Sequence, residues 1–246
     1  MSIDVYVERG AKRTFVSAVE WPGWARSGRD EASALDALLV SAPRYAKVVA
    51  STGLGFRAPR VIPDLRVVQR LPGNATTDFG APAAVPTADT AAVRADDLKR
   101  IETLIQAAWR AFDAAVTAAK GKTLAKGPRG GGRALEKIAE HVREAERGYL
   151  SALGWGNDAR DVAGVHKAVI DGFRASARGE IPPTGPRGGK RSMPRQFARR
   201  LAWHAIDHAW EIEDRAGGVT SRRAPARPTR ASAPAPRAPT PRRARR

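Results

Sequence analysis

Two histidines, His204 and His208, stand four residues apart in the stretch WHAIDHAWEIEDR, and the whole chain of 246 residues has only four. One turn apart on one helical face, two imidazoles can point at a common atom. A third, His141, stands in EHVREAERGYL. Three imidazoles from two neighbouring helices would make a facial nitrogen set, with positions left open for water or substrate, as in catalytic zinc sites. Glu211, one turn past His208, and Glu144, one turn past His141, are the candidate catalytic carboxylates: each could orient an imidazole or act as general base. Asp207 is less central and could orient a ring or stand at the rim. The alternative is that the rings fill the core. Buried polar rings then need partners, because an unpaired one costs about 1–3 kcal/mol. His166, with Lys167 beside it, reads as a surface or capping residue. There is no cysteine, which excludes disulfides, thiolate zinc sites and cysteine nucleophiles. A metal held here has nitrogen and oxygen ligands, a set that suits zinc, nickel, iron or copper.

The elements that must position these residues follow from periodicity. The segment IDVYVERGAKRTFVSAVEWPGW reads as two strands with a turn at ERGAKR. A helix follows, capped by Asp30, with Ala34, Leu35, Leu38 and Leu39 on its stripe and Pro43 expected to end or bend it. RVIPDLRVVQRL gives one or two more strands. Residues 1–72 are therefore expected as a small α+β domain. Residues 73–95, rich in Pro, Ala, Gly and Thr and without periodicity, read as a linker.

From residue 96 the pattern is helical. Leu98, Ile101, Ile105, Ala108, Phe112 and Ala115 form a first stripe. Leu135, Ile138, Val142, Ala145 and Tyr149 form a second, with His141 roughly 60° from its centre. Val162 to Arg178 is a third, weaker helix. Pro194 to Arg215 is the fourth, with Phe197, Leu201, His204, His208 and Glu211 on its interior stripe and Trp203, Ile206 and Trp210 on a second. The fold class expected is thus a small N-terminal α+β domain, an all-α antiparallel four-helix bundle over 96–216, and a disordered basic tail over 217–246.

The histidine segments resemble the DinB-like superfamily of four-helix bundles, whose three-histidine metal site takes one histidine from the second helix and an HxxxH pair from the last. The resemblance implies His141, His204 and His208 as metal ligands. It also implies a metal-dependent enzyme, either a thiol S-transferase using a mycothiol- or bacillithiol-type cosubstrate or a related hydrolase or isomerase. The basic loops after the first and third helices depart from a compact version of that fold. Separately, FVSAVEWPGWARSGRDEASALDALL resembles HicB-like domains, through Trp21, Pro22, Gly23, Gly28, Glu31 and Ala32. No DNA-binding segment follows, so an antitoxin role is not implied. The packing reading is that Trp21 and Trp24 lie over the sheet and Pro-Gly makes a tight turn.

The net charge of +18 is unevenly placed, because nine arginines and no acid follow Val219. That tail has no aromatic residue for base stacking. It supports at most weak, non-specific contact with nucleic acid or an anionic surface. GKTLAKGPRGGG (Gly121 to Gly132) fails the phosphate-loop test, since Gly-Lys-Thr comes first and lies between helices; its cations could attract an anionic cosubstrate. No apolar run reaches membrane-spanning length and the N-terminus lacks a secretory pattern, so a cytoplasmic bacterial protein is expected. The leading expectation is a DinB-like enzyme with a divalent metal, a small-molecule electrophile and a low-molecular-weight thiol. The alternative is a non-catalytic interaction protein whose HicB-like domain and arginine tail bind a partner or nucleic acid.

Overall fold

A computed structural model describes residues 2–126 and 132–217. The arginine-rich tail, and with it the expectations of disorder and of nucleic-acid contact, lies outside the described residues, as does part of the glycine-rich stretch.

The protein is a mixed α+β structure with four strands and six helices among the described residues. Strands β1 (Ile3–Arg9), β2 (Thr14–Ala18) and β3 (Ala25–Gly28) form an antiparallel meander. Helix α1 (Glu31–Val49) then crosses over to β4 (Leu65–Pro72), which lies parallel to β1, giving the order β3-β2-β1-β4. Two strands were expected before α1 and three are present. The third, ARSG, is too short and polar to show an alternating pattern. Asp30 caps α1 as expected, its side chain accepting from the Ser33 backbone N–H at 2.8 Å. Pro43 does not end α1, which runs through it to Val49.

The sheet is covered on both faces. Val5, Val7, Val16 and Ala18 pack with Ala34, Leu38 and Tyr45 of α1. The opposite face carries Tyr6, Glu8, Phe15 and Ala25, also buried. What covers it is the segment after β4 together with the last helix. That segment, expected as a linker, is packed instead. It holds α2 (Ala75–Phe79) and a 3-10 turn at Thr87–Thr90, with Thr77 and Asp89 buried. Glu8 is the polar anchor, accepting from the Thr77 hydroxyl and from the Ala83 backbone N–H at 2.9 Å. Composition alone does not show this, because the anchoring comes from polar groups of β1 almost 70 residues away.

Four longer helices follow: α3 (Ala95–Ala119), α4 (Leu135–Leu153), α5 (Val162–Ala177) and α6 (Pro194–Ala216). Helix α6 is central, packing on α3, α4 and α5. Its second stripe faces the sheet unit: Trp203 meets Phe15 edge-on at 6.1 Å between centroids, and Trp210 lies under the Arg26 guanidinium at 4.0 Å. The Pro22–Gly23 turn also seats on α6. Gly23 has φ +94°, and a Cβ there would lie 2.6 Å from Ile206 Cδ1. Trp24 stacks on Tyr45 and donates to Ser41 Oγ at 2.9 Å, so it is a packing residue. One hydrophobic core runs through both halves of the chain. Buried Arg199 ties them together, pairing with Asp89 Oδ1 at 2.6 Å and donating to the Ala18 carbonyl at 2.7 Å.

Candidate metal centre

The fold buries both stripes of α6, the tryptophan stripe throughout and the histidine stripe most deeply at its N-terminal end. Phe197 and Leu201 lie in the core, His204 is 8% exposed, and His208 is half-buried. On α4 the interior line runs through Leu135, Ile138, Val142, Glu146 and Leu150. Ala145 and Tyr149, expected on that line, sit beside it. His141 stands at the edge of the line nearest α6. The three rings converge: centroid separations are 5.1 Å for His141 and His204, 5.0 Å for His141 and His208, and 4.5 Å for His204 and His208. One nitrogen from each lies within 4.8 Å of the others.

The electrostatics favour the neutral form of His204 and His141, the form whose lone pair binds a metal. Burial pushes His204 down to about 2, with His208 and His141 adding to the effect. Burial also lowers His141, helped by Arg133 and His208. The donor set, three imidazole nitrogens, is one that suits a borderline divalent ion.

Glu211 is placed to orient His208. Its Oε2 meets His208 Nδ1 at 2.8 Å, which leaves Nε2 of that ring to face the cluster. Its Oε1 accepts from Arg215 Nη1 at 2.8 Å. The bond to His208 is the main reason the Glu211 carboxyl sits below its usual range. Arg215 also donates to the Ala125 and Arg133 carbonyls at 2.8 Å each, pinning both ends of the glycine-rich connection to α6. Glu144 is exposed; its charge reaches His141. Asp207 turns away and pairs with Arg26 of β3 at 2.8 Å.

His166, expected at the surface or as a cap, is neither. Its ring stacks on Trp109 at 3.6 Å with 8° between planes, and its Nε2 lies 3.7 Å from Glu146 Oε2. Glu146 is buried on the α4 line and accepts from Trp109 Nε1 at 2.7 Å through Oε1, while Oε2 has no partner among the described residues. Burial raises Glu146 to about 7 and lowers His166 to about 4. Sequence reasoning missed this network. The one signal was Glu146 at four residues from Val142, on the interior face.

Two further residues border the histidines. The Tyr149 ring meets His204 edge-on at 5.8 Å. Arg200, one turn before His204, stands 5.8 Å from both the Tyr149 and Trp203 rings. The chain matches no protein-family model, no curated protein and no solved structure. The site therefore stands on its own geometry: an α+β protein in which a long central helix and its neighbour gather three imidazoles.

Proposed function

We propose that the protein is a metal-dependent enzyme of DinB-like type, with a divalent ion held by His141, His204 and His208. The reaction proposed is transfer of a mycothiol-type thiol to a small electrophile, or a related hydrolysis. On this reading α3, α4, α5 and α6 are the four helices of the bundle. The observation that carries it is the convergence of three imidazoles from two helices, in a chain that has four histidines. A core role is disfavoured by the lack of partners: only His208 has a hydrogen-bond acceptor, Glu211, while His141 and His204 meet the other imidazoles.

When bound, such an ion supplies the Lewis acidity that makes a water or thiol nucleophilic at neutral pH. The chain's own residues do the rest. His208 is held by its bond to Glu211, and Glu211 is itself held in place by Arg215. Glu211 remains ionised and is the carboxylate nearest the cluster, the candidate to take up a proton through His208. Glu144, exposed and without a bond to any of the three rings among the described residues, is the weaker candidate for that role. Tyr149 and the buried flank of α6 exclude water from one side of His204.

The test is conjugate formation by zinc-, nickel- or iron-reconstituted protein supplied with a low-molecular-weight thiol and a chromogenic aryl halide. Turnover that disappears in His208→Ala, with the far-ultraviolet circular dichroism unchanged, is the expected result. Equal turnover by that variant would remove the histidine cluster from the reaction.

A further inference from the structure

The three imidazoles come from α4 and α6, and one side chain bonds to both ends of the chain that joins α3 to α4. Arg215 lies in the last turn of α6, and its side chain is only 10% exposed. Each nitrogen of its guanidinium has its own acceptor at 2.8 Å: Nη1 the Glu211 carboxylate, Nε the Ala125 carbonyl and Nη2 the Arg133 carbonyl. The Arg215 carbonyl in turn accepts from the Ala125 N–H at 3.0 Å, so Ala125 is clasped twice. A planar fork that satisfies three acceptors fixes their positions relative to one another.

Gly132 completes the seat. A Cβ there would stand 2.5 Å from Nη2 and 2.7 Å from Cζ of Arg215, so the guanidinium occupies the space that any larger residue would need. The consequences reach both helices that supply the histidines. On α6, Arg215 holds Glu211, and Glu211 holds His208. On α4, it holds Arg133, just before the helix begins at Leu135. That start has no other side-chain cap, since Ala134 stands in the capping position. His141 follows within about two turns.

We infer that Arg215 is a positioning residue of the metal centre, and that through it the two ends of the α3–α4 connection, Ala125 and Arg133, set how tightly the three histidines hold their ion. This rests on the proposed metal centre and adds a regulatory input to it. Whatever draws the connection away from α6 weakens the hold on the ion, and by linkage the ion strengthens the hold of α6 on the connection.

The test is a cycle on Arg215 and Gly132 with two readouts. One is zinc affinity, by competition with a chromogenic chelator. The other is the tautomer of His208 in chelator-treated protein, by two-bond nitrogen–proton NMR. In wild type His208 should carry its proton on Nδ1, facing Glu211. Arg215→Gln should lower zinc affinity about tenfold or more and spread the proton over both ring nitrogens. Arg215→Lys keeps the charge at the end of α6 but cannot reach three acceptors, and should lose nearly as much. Gly132→Ala changes no charge and no ligand, yet should lower the affinity by displacing the guanidinium. In the Arg215→Gln background it should have almost no further effect, which separates displacement from the strain of an alanine at φ +148°. Gly121→Ala, in the same connection with nothing within 4 Å of its Cβ position, should leave both readouts near wild type. Each variant is compared only with a native far-ultraviolet circular dichroism spectrum; if Arg215→Gln does not fold, Arg215→Lys takes its place in the cycle. Zinc affinity within about twofold of wild type in the Arg215 variants, a Gly132→Ala effect as large without Arg215 as with it, or an unmoved His208 tautomer would each overturn the inference. If wild type binds no zinc, the metal reading falls, and the relay from Arg215 to His208 stands or falls on the tautomer alone.

Discussion

Glu211 accepts from His208 Nδ1 at 2.8 Å while its other oxygen accepts from Arg215 at 2.8 Å. A carboxylate committed on both oxygens cannot swing, and neither can the imidazole it holds. Carboxylates that fix a metal-binding imidazole commonly contribute 10–100-fold to metal affinity. Glu211→Ala should therefore weaken metal binding by about that factor. Competition with a chromogenic chelator measures it, and an unchanged affinity would show that His208 needs no support. Glu144→Ala, at an exposed position, should leave the affinity within about twofold of wild type.

The Glu146 carboxyl gives a pH prediction with a definite sign. Its folded value, about 7, lies above its ordinary 4.5 because burial disfavours the charged form. Its stabilising contribution is complete below 4.5 and is lost as the pH rises through 7. Glu146→Gln keeps an oxygen for Trp109 and carries no charge. The variant should gain on wild type across that window, by roughly 3 kcal/mol at most. Urea titrations at pH 5 and pH 8 compare the two. A stability difference that stays constant between these pH values would mean that Glu146 is already charged, or is solvated by water, at neutral pH.

Arg199 and Asp89 form a buried pair that joins α6 to the segment after β4. Removing one partner leaves the other charge buried and alone, which typically costs 3–5 kcal/mol. Arg199→Met and Asp89→Leu should each lower stability by about that much, and the double variant by clearly less than the sum. Additive losses in a thermal-melt cycle would deny the coupling.

At Gly23 two constraints coincide, a backbone φ of +94° and a Cβ position 2.6 Å from Ile206 Cδ1 and 3.2 Å from Ala202 Cβ. Gly23→Ala should cost about 2 kcal/mol. Its effect should be large for an exposed-looking turn, since the residue seats the sheet unit on α6. A neutral substitution would show that this contact is loose.

Much of this architecture is legible in the residues. The stripes Ile101–Ile105–Ala108–Phe112 and Phe197–Leu201–His204–His208 mark helices and their buried faces, because a 3.6-residue period leaves little freedom in which side faces inward. The convergence of His141 with the α6 pair could be anticipated from its place at the edge of the α4 stripe. What was not legible depends on contacts distant in sequence. Residues 73–95 look like a linker because their order comes from Glu8 and Arg199, not from their own periodicity. His166 looks exposed because its partners, Trp109 and Glu146, lie on two other helices. Asp207 and Glu144 share the spacing of useful carboxylates, and only the packing shows that one belongs to Arg26 and the other to solvent.

The central claim is that three imidazoles hold a metal, and elemental analysis tests it most directly. Wild-type protein should carry about one divalent ion per chain after purification or reconstitution, and His204→Ala/His208→Ala should carry almost none while remaining folded. Equal metal in both proteins, or none in wild type after reconstitution with zinc, nickel and iron, would contradict the account and return the histidines to a packing role.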